Sequence, residues 1–201
     1  MQCTYKRRGV NVYFNIRKKI DRFDNYILFI IEKYVHNKYL DIIMPIVTFT
    51  GNLGSIWFII AIVLIIDKPY RAIGNSIIIT LIIGTIIGEG ILKHIVRRVR
   101  PCNRQENFRL PSLKLTSYSF PSGHTLSSFA AAEMLSLYFT QYRLVFMSMA
   151  FLIAVSRLYL YVHYPTDVIV GLIIGVLCSK IVFIMLQQGY IQKLITFEFS
   201  S

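Results

Sequence analysis

Four long, almost uncharged blocks constrain this chain more than anything else in it. Leu53–Ile66 reads LGSIWFIIAIVLII without a charge, and Ile73–Leu92 carries only Glu89. Leu144–Val155 and Val168–Ser179 carry none. With their flanks, these blocks approach the roughly 20 mostly apolar residues needed to cross a bilayer core. A spanning segment must satisfy its own backbone polar groups, so such blocks are read as helices. A soluble domain would not need 55% hydrophobic residues in 201.

The expected fold is therefore all-α: a polytopic membrane helical bundle with five clear spans plus a sixth span or an interfacial N-terminal helix. The five are 53–66, 72–98, 122–140, 144–162 and 165–187. Pro165 suits the first position of the last helix. Phe23–Val35 (FDNYILFIIEKYV) is read as an interfacial amphipathic helix. Residues 39–50 form a short apolar stretch that Gly51-Asn52 interrupts. The domain layout is a basic tail over 1–22, a membrane domain over 23–190 and a tail over 191–201.

The net charge is +12, and seven of the first 22 residues are Lys or Arg. In a membrane protein a basic terminus marks the cytoplasmic side rather than a nucleic-acid partner. No apolar run or small-residue cleavage site follows at once, so the start does not read as a cleavable signal. Cys3, Cys102 and Cys178 are scattered and odd in number, which suggests neither a disulfide framework nor a metal site.

Helix parity brings three polar clusters to one membrane face. The first is KHIVRRVRP, Lys93 to Pro101. Lys93 and Arg100, seven apart, are expected on one helical face with Arg97 between them, as a cationic grip for an anion. The second is PSGH, Pro121 to His124. Ser122 reads as a helix N-cap, Gly123 allows close backbone approach, and His124 can exchange a proton near neutral pH. The third is SRLYLYVHYPTD, Ser156 to Asp167. His163 ends one helix and Asp167 starts the next, so a carboxylate can hold one imidazole nitrogen and leave the other free. Arg157 lies within about 9 Å of His163 along a helix.

Each cluster alone has a plainer reading: lipid-headgroup snorkelling, a capping turn, a bridge between two helices. Together they place two histidines, one aspartate, three cations and a helix N-terminus on one face. Buried or edge-buried ionisable groups in membranes are costly and usually functional. Six of the ten acids (Asp21, Asp24, Glu32, Asp41, Asp67, Glu198) fall outside these clusters and the helices that carry them. No metal is expected, and the positive charge comes from side chains. Glu89 can pair with Lys93 four residues on, and Glu133 has no obvious partner.

In this order, K-x6-R-P, P-S-G-H and S-R-x5-H-x3-D resemble the signature of the type-2 phosphatidic acid phosphatase superfamily, the lipid phosphate phosphatases. Vanadium haloperoxidases share that signature. The resemblance covers about residues 50–187 and implies catalytic roles for His163 (nucleophile), Asp167 (its orienting carboxylate) and His124 (acid, then base). It also implies that Lys93, Arg100, Ser122, Gly123 and Arg157 bind phosphoryl oxygens, with no cofactor.

The implied function is integral membrane hydrolysis of a lipid phosphate or diphosphate through a phosphohistidine. Undecaprenyl diphosphate is favoured, with phosphatidylglycerophosphate or phosphatidic acid next. The partners are that lipid phosphate substrate and membrane lipids, with no nucleic acid. Charge puts the N-terminus in the cytoplasm, and the family norm puts the active face on the extracytoplasmic side of the cell membrane. Two alternatives are a vanadate-dependent haloperoxidase-like enzyme, disfavoured by the apolar spans, and a non-enzymatic membrane phosphate-binding protein, which need not keep every motif residue.

Overall fold

The computed structural model describes residues 2–104 and 117–189, with only the backbone course of 2–14 and Leu53. The middle of the polar loop and the expected C-terminal tail over 191–201 lie outside the described residues. Among the described residues the chain is all-helical.

Helix α1 runs Gln2–Ile30 and continues as a π-helical turn through Val35, across the boundary expected at residue 22. Helix α2, Leu40–Thr50, leads through Gly54 (φ +70°) into α3, Ser55–Ile66. Glycine takes that left-handed backbone without the steric penalty a side chain would meet. Helix α4, Arg71–Thr85, passes through a π-helical stretch, Ile86–Leu92, into the short α5, Lys93–Val96. After the loop come α6, Gly123–Tyr138, α7, Arg143–Tyr159, and α8, Pro165–Gln187.

Among the described residues three segments are long and apolar enough to cross a membrane: Lys68–Asn103, Thr140–Tyr159 and Pro165–Gln187. The α2–α3 pair, bent by 45°, makes a fourth if it is one broken span. Five clear spans were expected. The difference lies at α6, which has 16 residues, and at the break between α2 and α3. Chain length and apolar content distinguish these helices less sharply than the sequence blocks suggest. The chain is a multi-pass membrane protein whose outward apolar side chains, such as Ile62, Ile82, Phe151, Ile173 and Ile181, suit a lipid surround.

Helix α6 forms the centre. Ala130, Ala131 and Ala132 are fully buried, and α3, α4, α7 and α8 all pack on it. In lipid, helices associate through close van der Waals fit rather than hydrophobic burial, so small residues decide the geometry. A Cβ on Gly175 would stand 2.5 Å from the Leu126 carbonyl oxygen, and one on Gly171 2.8 Å from that of Ser122. Helix α8 therefore lies against the α6 backbone. Trp57 of α3, also fully buried, donates its indole N–H to Ser128 of α6 at 3.0 Å.

Glu133, expected to lack a partner, is buried on α6 and accepts from Arg143 at 3.0 Å, with Lys180 at 3.9 Å. A long-range pair of this kind has no local sequence pattern.

Candidate active site

The three clusters meet at one end of the bundle. The expected single helical face over Lys93–Arg100 does not form, because α5 stops at Val96. Arg97 adopts φ +50° and turns its Nε to the His94 carbonyl at 2.9 Å, exposed and away from the cluster. That turn redirects the chain. Arg98 and Arg100 now point inward from an extended segment, while Lys93 reaches the site from the helix.

Lys93 is 6% exposed and pairs with Glu89 at 2.5 Å, the expected i,i+4 partner. Glu89 also abuts the PSGH turn: a Cβ on Gly123 would come within 2.3 Å of its Oε1. Arg100 is 4% exposed and locked on two sides. It donates to the Ser117 carbonyl at 2.9 Å and Ser117 Oγ at 3.0 Å, and to the Val162 carbonyl at 3.0 Å. Its Nη1 is also 3.0 Å from His163 Nε2.

Ser122 holds the N-cap position of α6, but its hydroxyl makes no capping bond. Instead it accepts from Thr125 Oγ1 at 2.9 Å, and its backbone N–H donates to the Asp167 carbonyl at 3.1 Å. The turn is thereby fastened to the start of α8, and the first N–H groups of α6 are left without the side-chain cap expected of Ser122. His124 is half-buried at the mouth of the site, with Nε2 2.9 Å from Asn52 Oδ1. Arg157, His163, Arg100 and Lys93 all lie within electrostatic range of it.

Arg157 is 5% exposed and hydrogen-bonds Thr48 of α2. Its Nε is buried with no hydrogen-bond partner among the described residues. A leftover buried donor costs stability unless an anion meets it.

His163 lies in the connection between α7 and α8, 1% exposed. Its Nδ1 is 2.7 Å from the Ser119 carbonyl and 3.7 Å from Asp167 Oδ2. The expected orienting carboxylate therefore acts as a nearby charge, and a backbone carbonyl makes the hydrogen bond. Burial pushes the His163 pKa down to about 3; the Asp167 side chain opposes this, and the charges of Arg100 and Arg157 add to it. The ring is neutral at physiological pH.

Asp167 is fully buried. Its Oδ2 accepts from the Tyr164 N–H at 2.9 Å, and its Oδ1 accepts from Arg98 at 2.8 Å. Arg98 had no assigned part in the sequence reading, and Asp24 was placed outside the clusters. Yet Arg98 also donates to Asp24 at 2.5 Å. Asp24 thus belongs to the surroundings of the site, through a contact between α1 and α8 that no sequence spacing marks.

Among the described residues no group of three or more His, Cys, Asp or Glu side chains is arranged to hold a metal ion. The site instead combines a buried neutral imidazole, three buried cations, a second histidine at the mouth and uncapped N–H groups. That set suits an anion with several oxygens and a nucleophilic attack on it.

Residues 70–190 match the PAP2 superfamily. The chain is 34% identical over 143 residues to an undecaprenyl-diphosphatase of Sulfolobus acidocaldarius, covering 69% of this chain and 68% of that protein. It is 29% identical over 169 residues to phosphatidylglycerophosphatase B of Bacillus subtilis, covering 76% and 77%. The crystal structure of Aquifex aeolicus LpxE superposes with a TM-score of 0.69 at 28% identity, covering 80% of this chain and 94% of that one.

Proposed function

The chain belongs to the PAP2 superfamily, and on that premise we propose that it is a metal-independent lipid phosphatase working through a phosphohistidine, with undecaprenyl diphosphate as its favoured substrate. The observation that carries this reading is the meeting of Arg100 with the free nitrogen of His163, 3.0 Å apart, inside a cluster that also holds Lys93, Arg157 and His124. The family match brings the reaction class. The preference for undecaprenyl diphosphate over phosphatidylglycerophosphate rests on the higher identity to the first relative.

In the first step the Nε2 lone pair of His163 attacks phosphorus, and the bond to the lipid oxygen breaks. His124, in its imidazolium form, gives a proton to that oxygen and is left neutral. The phosphorylated ring is cationic, and Asp167, 3.7 Å from Nδ1, balances it. In the second step His124 takes a proton from water as the water oxygen attacks phosphorus. The P–N bond then breaks, phosphate leaves and His163 is neutral again. Lys93, Arg100, Arg157, Ser122 and the Gly123 backbone hold the equatorial oxygens, over which charge spreads during transfer. Cationic side chains thereby take the part a metal plays elsewhere. The active face is assigned to the extracytoplasmic side of the cell membrane.

The test is phosphate release by the purified protein in detergent and EDTA from four substrates: undecaprenyl diphosphate, phosphatidylglycerophosphate, phosphatidic acid and a soluble phosphate ester. Turnover fastest on undecaprenyl diphosphate and undiminished by EDTA is expected. A strict need for Mg²⁺ would overturn the metal-independent reading, and a faster rate on another lipid would reassign the substrate.

A further inference from the structure

Asp24 is the feature the phosphatase mechanism leaves over. It sits on α1, outside the region that matches the family, and is fully buried. A buried carboxylate is costly unless its oxygens are paired and hydrogen-bonded. Both oxygens of Asp24 are satisfied by the first turn of α8 and the arginine beside it. Oδ1 accepts from the Thr166 N–H at 3.0 Å. Oδ2 accepts from Thr166 Oγ1 at 2.7 Å and from Arg98 at 2.5 Å.

Arg98 is shared. Its Nη1 donates to Asp167 Oδ1 and to Thr166 Oγ1, each at 2.8 Å, while Nη2 faces Asp24. The guanidinium also stacks over the Tyr164 ring, 3.9 Å from its centroid. Only a planar, forked donor can bridge two carboxylates in this way. Leu28, one turn along α1, packs with Tyr161 and Tyr164 and seats the helix against the connection that carries His163.

The charge balance gives the arrangement a purpose. A lone Arg98–Asp167 pair would be neutral, leaving Asp167 little charge to offer a cationic His163. Asp24 draws on the same guanidinium, and Asp21 stands 3.6 Å from it at the exposed rim. The buried group of Asp167, Arg98 and Asp24 therefore carries one net negative charge next to the ring, and Asp21 adds a second farther out. We propose that Asp24 and Arg98 are positioning residues for the reaction. Helix α1 shares Arg98 with Asp167, so that Asp167 keeps both its place and its charge for His163. This inference rests on the phosphohistidine reading, and it makes α1 a working part of the site rather than a membrane anchor.

The experiment measures kcat and KM for phosphate release from undecaprenyl diphosphate by the full-length protein carrying Asp24→Asn, Asp167→Asn or both. Asp24→Asn is expected to lower kcat by about 10-fold or more while KM stays within about twofold. Added to Asp167→Asn it should cost little further, because both changes act through one carboxylate. An unchanged kcat, or losses that multiply in the double variant, would overturn the proposal. Arg98→Lys supplies the second route if Asp24→Asn does not fold. It keeps the charge but cannot bridge both carboxylates, so the same kcat loss is expected, and a wild-type kcat would overturn the proposal. His163→Ala separates the two layers. Full loss there beside a wild-type Asp24→Asn removes only the positioning role, whereas turnover surviving His163→Ala removes the phosphohistidine reading itself.

Discussion

Arg100 donates from Nη1 to Nε2 of His163 across 3.0 Å. A guanidinium has no lone pair to accept with, so Nε2 must be the unprotonated nitrogen of the ring. The proton then sits on Nδ1, which is 2.7 Å from the Ser119 carbonyl. One contact thus fixes the tautomer and points the lone pair toward the cation that would hold a phosphoryl oxygen. Substrate must take over this arginine as it enters, which couples binding to release of the nucleophile.

Arg100→Lys tests that coupling. A lysine keeps the charge but loses the fork that grips Ser117 and Val162 while facing His163. The expected result is a fall in kcat/KM of about 10²- to 10³-fold, the scale of losing one preorganised donor to a transition-state oxyanion. Steady-state phosphate release measures it, and a loss under about threefold would show that only net charge matters there.

The two histidines should separate by leaving group. With p-nitrophenyl phosphate, whose leaving oxygen needs little help from an acid, His124→Ala should still form phosphoenzyme but hydrolyse it slowly. His163→Ala should form none. Trapping under alkali, where phosphohistidine survives, distinguishes the two. Phosphoenzyme in His163→Ala would assign the nucleophile elsewhere.

The depressed pKa of His163 makes a pH prediction with a definite sign. The fold keeps the ring neutral down to about 3, whereas an unfolded histidine protonates near ~6.5. Its contribution to stability is therefore full above that unfolded value and is lost as the pH falls toward 3. Thermal melts in detergent should show the wild type losing more stability than His163→Gln between pH 7 and 4. Ring ¹⁵N shifts should report His163 still neutral at pH 5, and a ring half-protonated near 6.5 would refute the assignment.

Most of the helices were legible in the sequence because apolar blocks are a local signal, and the three polar clusters stood out by their short fixed spacings, though the number of spans did not follow from the blocks. What escaped has a common physical cause. The Ser119 carbonyl orients His163, and a backbone acceptor leaves no trace in residue type. Arg97 looked like a member of the cationic face, but the helix ends one residue before it. Its positive φ turns the chain, so Arg98 goes inward and Arg97 out. Asp24 reaches Asp167 through Arg98 across 143 positions of chain, a contact set by how α1 docks rather than by any motif. Helix α6 was read as a span of 19 residues but has 16, and its central alanines mark a helix packed by its neighbours.

Two glycines on α8 should separate packing from chemistry. A Cβ on Gly175 would lie 2.5 Å from the Leu126 carbonyl oxygen and 3.0 Å from the Ala130 nitrogen. Both are backbone atoms, so the helices must part. Gly175→Ala should cost about 1–3 kcal/mol of stability, the usual range for overpacking. A Cβ on Gly171 would lie 2.8 Å from the Ser122 carbonyl oxygen, directly behind the turn that leads to His124. Gly171→Ala should therefore displace that turn from Asp167, whose own carbonyl accepts the Ser122 N–H at 3.1 Å. A 1 Å misplacement of a catalytic group can cost about 100-fold in rate. Gly171→Ala is thus expected to lose activity out of proportion to its stability, and Gly175→Ala the reverse. Gly90 is the control, since a Cβ there meets nothing within 4 Å. Melting curves and kcat for the three variants check the set, and equal activity losses at Gly171 and Gly175 would mean that α8 moves as one body.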